Sequence, residues 1–597
     1  MIARRQMMAL GLAVAPSLPL GWAQAAPPAK AKATNAPTST LHALFDEYWE
    51  TSARMSPERA TLRGDHRYGD RFTDQSPAAI AERDATVRRW LARARAIRRE
   101  ALPPADRVSL DIFSYLMQQE VDLQRFEGFR TMSLRPVFGF QQGFAGLLRN
   151  TPVDRPEQTE QVLARMAAYP RRVEQEIARL RLGVAGHWVP AKPVVQRVLE
   201  QIDGQIAPAP DQGPFFDPFT RLPVDWPAAQ RESLQARARQ AIADHVLPAL
   251  RSLRAFVGGE YLAAAPEEGG LSRYPEGARL YELAAQRQTT TRKTPREIHA
   301  IGLAQLATLQ AQMEGVMRET GFNGTLKEFN TFLHTDPKFF NPSPEAMLAA
   351  YREIAKRIDP ELPRLFAELP RATYGIRAMP AFAGPGAADN YSAPALDGTR
   401  PGWYNANLMA YQRRPKWAME TLLAHETVPG HHLQNARARE MQGLPAFRRD
   451  SWFVAYGEGW ALYAETLGPQ LGLYTDAYSR YGHLQAQAFR AVRLVVDTGL
   501  HALGWTRQQA IDYMVANTGE QPDYVAAEID RYLADPGQAL GYMIGKLKFD
   551  ELRDRAKVRL GARFDLRRFH MAVLDGGSVP LEVLDHVVDD WIAAGGH

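Results

Sequence analysis

Apolar residues recur at three- and four-residue steps along most of the chain from Leu41 onward, the period of amphipathic helices. LHALFDEYWETSARM (41–55), RVSLDIFSYLMQQEVDLQRF (107–126) and TEQVLARMAAYPRRVEQEIARLRLGVAG (159–186) carry it most fully. The pattern returns at 227–257 and 296–319. The second of these opens on Thr294-Pro295-Arg296-Glu297, where Thr294 caps, Pro295 takes the first helical position and Glu297 completes a capping box. Between 205 and 225 the chain is Pro-rich, which predicts a surface loop. Residues 371–408 are rich in Ala, Gly and Pro and end in the extended stretch Gly402–Leu408, so a small sheet is expected there. Residues 415–440 predict a helix broken at Pro429-Gly430, with further helices at 450–467, 477–503, 506–517, 522–533, 537–560 and 580–593. No repeat with a period of 20–50 residues is apparent.

Composition narrows the class. The 597 residues are 45% hydrophobic and 23% charged, a balance that supplies a large core and excludes wholesale disorder. The net charge of +5 arises from 72 basic and 67 acidic residues, and the arginines are interleaved with acids, as on a solvated helix face. A nucleic-acid partner is therefore not expected. Without cysteine, the chain has no disulfide, thiol nucleophile or thiolate metal site, and any metal must be held by His, Asp and Glu.

Residues 1–40 contain no acid. Arg4 and Arg5 precede an apolar stretch, Met7 to Leu20, that Pro16 and Pro19 break and that is too short to span a bilayer. Ala23-Gln24-Ala25 follows as a small-x-small cleavage pattern. This predicts a signal peptide at 1–25 and a linker at 26–40, with twin-arginine or general secretory export to the periplasm or beyond. No later stretch reaches 18 uninterrupted apolar residues, so no membrane span is expected.

The candidate chemistry lies in Ala424-His425-Glu426-Thr427-Val428-Pro429-Gly430-His431-His432-Leu433-Gln434. Three of the 14 histidines fall within these residues, with an acid beside the first. In the zinc-peptidase pattern HExxH, two His four apart on one helical face bind Zn²⁺ and the adjacent Glu activates water. Here the spacing is longer. On an unbroken helix the six-residue step to His431 turns through roughly 600° and rises about 9 Å, and the seven-residue step to His432 rises about 10.5 Å. Either distance is too far for one ion. Pro429 cannot donate to the carbonyl of His425, and Gly430 tolerates unusual dihedrals, so a bulge absorbing two residues is expected to restore the four-residue relation. His431 is preferred as the second ligand and His432 is the alternative. Glutamate-type zinc peptidases take a third ligand from a following helix, and Glu458, flanked by Gly457 and Gly459, fits that place. Glu465, two turns further on, either orients a metal-bound His or pairs with an arginine.

HETVPGHHLQ, GEGWALYAE, the run Arg490–His501 with Gly504-Trp505-Thr506, and Pro536–Tyr542 closely resemble the bacterial family of domain of unknown function 885. Gly64-Asp65-His66-Arg67-Tyr68 and Phe569-His570 extend the resemblance to nearly the whole chain after residue 41. That family is similar to helical zinc peptidases such as thimet oligopeptidase, angiotensin-converting enzyme and the Taq-type carboxypeptidases. The resemblance implies a mainly α, two-lobed helical fold around a deep channel, with a small β-sheet beside the metal helix. It also implies peptide hydrolysis with one Zn²⁺ per chain held by His425, His431 and Glu458, and Glu426 as general base. In those relatives a later His and Tyr stabilise the transition state, and by chain order His501 and Tyr542 match them, with His432 able to replace His501.

Substrate contacts are expected at Trp403–Leu408, either as an edge strand offering Tyr404 and Asn405 or as an internal strand. Arg490 and Arg493 are either carboxylate binders or buried ion-pair partners. The expected substrate is a short peptide. Two other readings stand beside it: a metal-dependent amidase on a non-peptide or modified amino-acid conjugate, and a non-catalytic helical binding protein.

Overall fold

A computed structural model describes residues 36–379, 389–394 and 400–597. The expected signal peptide and the linker up to residue 35 lie outside the described residues. The rest of that linker is not one. Residues 36–40 open helix α1 (Ala36–Met55), which buries Leu41, Leu44 and Phe45.

The described chain is mainly helical. Helices α2 (Pro104–Leu123), α3 (Pro156–Ala185), α4 (Lys192–Ile206), α5 (Gly277–Thr289) and α6 (Pro295–Glu319) precede a small sheet. The capping box predicted for α6 is present, with the Thr294 hydroxyl accepting from the Glu297 N–H and the Glu297 carboxylate accepting from the Thr294 N–H at 2.8 Å. After the sheet come α7 (Met419–Glu426), α8 (His431–Glu440), α9 (Val454–Glu465), α10 (Ala477–Ala502), α11 (Pro522–Ala534) and α12 (Gly541–Leu560). Among the described residues no helix is long and apolar enough to cross a membrane.

Two hydrophobic cores make two lobes. One is built from residues 41–132 and 271–592 together with Trp188, Ala191 and Val194, and the other lies between Leu134 and Tyr261. Helix α4 sits between them, because Val194 joins the first core while Val195, Val198 and Ile202 join the second. Arg197 of α4 pairs with Asp530 of α11, and Arg135 reaches Asp535 at 3.4 Å, so charge pairs tie the lobes together. The Pro-rich stretch expected on the surface is partly interior: Phe215, Phe216 and Phe219 are buried in the second core. Three phenyl rings in one proline-broken run outweigh the polar turn signals around them.

The sheet has three strands, β1 (Tyr374–Ala378), β2 (Asn390–Ser392) and β3 (Gly402–Ala406), in the order β1-β3-β2. β3 runs parallel to β1, with Ile376 opposite Tyr404, and antiparallel to β2, with Asn390 opposite Asn405. The edge-strand reading of this stretch is thereby corrected: β3 is central and both its sides are paired. Tyr404 is fully buried against Tyr351 and its hydroxyl donates to Asp389 at 2.9 Å. Asn405 donates to Ser392 and accepts from Arg377 at 2.7 Å. Both side chains knit the sheet rather than face a substrate.

Candidate metal centre

Helix α7 ends at Glu426 and α8 begins at His431, so the motif is a break between two helices and not a bulge within one. Thr427 leaves helical geometry, the Val428–Pro429 peptide is cis, and His431 starts a new axis. The connection is tied down at each end. The N–H of Gly430 donates to the Ala424 carbonyl at 3.0 Å, that of His432 to Thr427 at 2.9 Å, and the Trp460 indole N–H to the Pro429 carbonyl at 2.9 Å. A Cβ on Gly430 would lie 2.0 Å from the His425 carbonyl oxygen, so only glycine fits there. The change of axis removes the rise that would hold His425 and His431 apart. Their ring centroids are 4.8 Å apart and nearly perpendicular.

Helix α9 supplies the carboxylates. Glu458 and Glu465 are seven residues apart, close to two full turns, and so share one helical face. Glu458 Oε2 stands 3.3 Å from His431 Nε2 and 3.5 Å from His425 Nε2. Glu465 Oε1 takes the Nδ1 side of the same His425 ring at 2.8 Å, and its other oxygen accepts from Thr421 at 2.9 Å and Gln487 at 3.2 Å. Glu465 therefore fixes the tautomer that leaves the His425 Nε2 lone pair free. Burial would raise the Glu458 carboxyl, but the His431 and His425 rings outweigh it and hold it well below the usual range.

His425, His431 and Glu458 offer ligand atoms that all lie within 4.8 Å of one another. In a tetrahedral zinc site with bonds of about 2.0–2.2 Å, neighbouring ligand atoms are about 3.3–3.6 Å apart. The two imidazole–carboxylate distances match that edge. His431 Nδ1 is buried without a partner, so no competing contact fixes this ring the other way round. The residues fit a divalent transition metal.

Other predicted residues divide. The Glu426 carboxyl follows directly on His425 and is pushed up by burial, with the His431 and His425 rings opposing and Glu458 and Asp389 adding to the rise. Tyr542 is brought to the site, its ring 6.5 Å from that of His425 and nearly parallel. Burial raises its phenol, with Glu458 adding to the effect, so it stays a donor. His432 is not a ligand: its Nε2–H donates to the Ala372 carbonyl at 2.9 Å and its Nδ1 accepts from the Tyr391 hydroxyl at 3.0 Å. Its role is to seat the sheet, since β3 packs so closely that a Cβ on Gly402 would lie 2.5 Å from His432 Nδ1. His501 is not brought to the centre. It is fully buried, its Nδ1 accepts from the Leu271 N–H at 2.9 Å and its Nε2–H donates to the Tyr532 carbonyl at 3.0 Å. Both nitrogens are committed to holding the core. Arg493 stacks 4.5 Å over the Tyr542 ring, donates to Tyr532 at 2.9 Å and Glu528 at 3.0 Å, and keeps Nη1 buried without a partner. Arg490, one turn before, donates to the Ala486 carbonyl at 3.2 Å and has a buried Nε without a partner.

Two residues beside the centre escape sequence reading. Trp452 is 44% exposed, and its ring lies 5.9 Å from that of His431. It packs against α9, where a Cβ on Gly457 would come within 2.2 Å of the indole. Tyr391 stacks 6.5 Å from His431 and holds His432. The glycine before Glu458 is the one signal for Trp452. Tyr391 has none, because β2 is placed by pairing across the sheet.

A family described as "Bacterial protein of unknown function (DUF885)" matches residues 57–588. The chain belongs to this family. Among solved structures, a candidate lipoprotein from Colwellia psychrerythraea superposes with a TM-score of 0.89 at 28% identity, covering 94% of this chain and all of that one. A candidate lipoprotein of unknown function from Shewanella oneidensis superposes with a TM-score of 0.67 at 18% identity, covering 93% of this chain and all of that one. The first of these shares this chain's fold over nearly its entire length. A candidate oligoendopeptidase F from Bacillus anthracis aligns at 11% identity with a TM-score of 0.31, too loose a superposition to carry an inference. Curated proteins yield no match.

Proposed function

We propose that this family member is an exported zinc-dependent peptidase acting on short peptides. The observation that carries the reading is that one Glu458 oxygen stands at tetrahedral-edge distance from the Nε2 atoms of both His425 and His431, beside a buried glutamate. A bound Zn²⁺ supplies Lewis acidity toward a carbonyl and makes water a nucleophile at neutral pH. His425, His431 and Glu458 would hold it. Glu426, its carboxyl pushed up by burial, takes the proton of the attacking water and hands it to the leaving amine. The Tyr542 phenol donates toward the charge that develops on the scissile carbonyl oxygen. Arg493, stacked on the Tyr542 ring and paired with Glu528, holds that phenol in place. Export is supported by the N-terminal pattern and by the candidate lipoproteins among the structural relatives.

The test has three readouts. Elemental analysis should find one zinc per chain, and a chelator should abolish hydrolysis. Glu426→Gln should retain zinc and lose at least about 100-fold in turnover. A panel of peptides and acylated amino acids separates peptidase from amidase, and purified protein that takes up no metal points instead to a binding protein.

A further inference from the structure

Two aromatic side chains flank His431, Trp452 with its ring at 5.9 Å and Tyr391 with its ring at 6.5 Å. Each leads to arginines that the reaction proposed above does not use. Asp450, two residues before Trp452, stands 3.7 Å from both Arg59 and Arg63, which lie on and just after the short helix Pro57–Leu62. On the other flank, Arg439 lies two turns along α8, the helix that His431 opens. Its Nη1 donates at 2.9 Å to the carbonyl of Pro394, just beyond β2 and three residues after Tyr391. Arg400 leads into β3, which runs beside β2. Burial raises the Tyr391 phenol, and Arg439 and Arg400 both oppose the rise. Burial pushes the Arg439 guanidinium down, with Tyr391 and Asp450 opposing and Arg400 reinforcing. Arg439 therefore joins the two flanks.

The charges on this side do not balance. Four arginines share one aspartate, in a chain whose total excess is only +5. Arg400 and Arg439 make no ion pair among the described residues. Glu440, next to Arg439, is spent on the N–H groups of Arg371 and Ala372 at 3.0 and 2.8 Å. Arg439 is partly buried, so it bears the cost of desolvation without a counter-ion. Its Nε and Nη2 have no partner among the described residues and, unlike the sealed Nη1 of Arg493, keep contact with solvent. The flank by Tyr542 differs. There Arg493 and Arg531 pair with Glu528 at 3.0 and 2.8 Å, and Glu520 stands by Arg490. A carboxylate gains little among charges already matched and much beside Arg439 and Arg400.

We propose that the side of the centre between Trp452 and Tyr391 is a subsite for a substrate carboxylate, on an acidic side chain or a free C-terminus. Arg439 is its donor, Arg400 adds long-range attraction, and the chain prefers anionic peptides. The inference rests on the peptidase reading for its class of substrate. Oligoalanine peptides carrying Glu or Gln at each position in turn, with free or amidated C-termini, are titrated calorimetrically into Glu426→Gln with zinc present. This reports binding without turnover. Glu at one position should bind about tenfold tighter than Gln, or a free C-terminus about tenfold tighter than an amide, the worth of a hydrogen bond to a charged donor. The first result places the carboxylate on a side chain and the second at the chain end. Raising salt from about 0.01 M to about 1 M, which shortens the screening length from about 30 Å to about 3 Å, should cut the preference severalfold. Arg439→Gln should reduce it below about twofold and leave binding of the neutral peptide unchanged. If Arg439→Gln does not fold, Arg400→Glu, at an exposed position, must reduce the preference as well. Arg251→Gln, exposed on the other lobe, should leave it intact. Equal binding of charged and neutral peptides throughout, a preference untouched by Arg439→Gln and Arg400→Glu, or no binding of any peptide overturns the subsite. Preference without hydrolysis by the wild-type chain leaves the subsite standing and sinks the peptidase reading alone, and hydrolysis without preference does the reverse.

Discussion

Glu465 stands outside the candidate ligand set, yet it holds one of the ligands in place. Its Oε1 holds His425 Nδ1 at 2.8 Å, and Thr421 and Gln487 saturate its other oxygen. Replacing it with glutamine keeps the volume, removes the charge and lets the ring turn. Zinc affinity, measured by competition with a chromophoric chelator, should fall about 10- to 100-fold in Glu465→Gln, with the fold intact by circular dichroism. His501 makes the opposite kind of prediction. Burial drives its pKa down to about 4, against an ordinary value of 6.5, and both nitrogens are already engaged. The folded chain keeps the ring neutral while the unfolded chain protonates it. Its contribution to stability is thus complete above about pH 6.5, declines as pH falls toward 4, and falls no further below that. The stability difference between wild type and His501→Gln, from urea melts at several pH values, should be constant above pH 7 and shrink between 6.5 and 4. A difference that grew on acidification would mean the ring charges inside the fold.

At the scale of elements, the crossing of α9 and α12 sets the site. A Cβ on Gly459 would lie 2.5 Å from the Cα of Gly545, and one on Gly545 would lie 1.8 Å from the Ala455 carbonyl oxygen. Backbone meets backbone there, so no side chain can yield. Gly459→Ala should destabilise by about 2–3 kcal/mol in thermal melts and weaken zinc binding, because Glu458 and Tyr542 ride on the two helices being pushed apart. Gly315→Ala in α6, where a Cβ meets nothing within 4 Å, should be neutral or stabilising by up to about 1 kcal/mol. Periodicity and caps made the helices legible in the sequence, and the glycines around Glu458 announced a close approach. The local content of the chain had less to say about three features. The surplus residues after Glu426 could be absorbed by a bulge or by a break, and contacts from Ala424, Thr427 and Trp460 chose the break. β3 reads as an edge or a centre equally well until β1 and β2 close on it. His501 has the composition of a catalytic histidine, and only its two committed nitrogens show that it is not one.

For the whole molecule, the ligand set and the lobe boundary do not coincide. His425, His431 and Glu458 all stand on helices of the larger core, while residues 134–261 form a second core joined to it through α4 and the charge pairs of Arg197 and Arg135. A ligand stabilises only the cooperative unit that must be folded to bind it, by RT ln(1 + [L]/Kd), or about 4 kcal/mol at a thousandfold excess over Kd. If the lobes open separately, zinc should slow amide exchange in α7, α8, α9 and α12 and leave α3 nearly unchanged. Helix α4, whose Val194 lies in the first core and whose Val195 lies in the second, should fall between the two. Exchange followed by mass spectrometry with and without a chelator reads this directly. Equal protection of α3 and α9 by metal would show that the interface joins the two cores into one cooperative unit. The Arg197–Asp530 pair holding α4 to α11 would then be what transmits the effect, and Asp530→Asn, which weakens the contacts of Arg197 and Arg507 together, should separate the two responses.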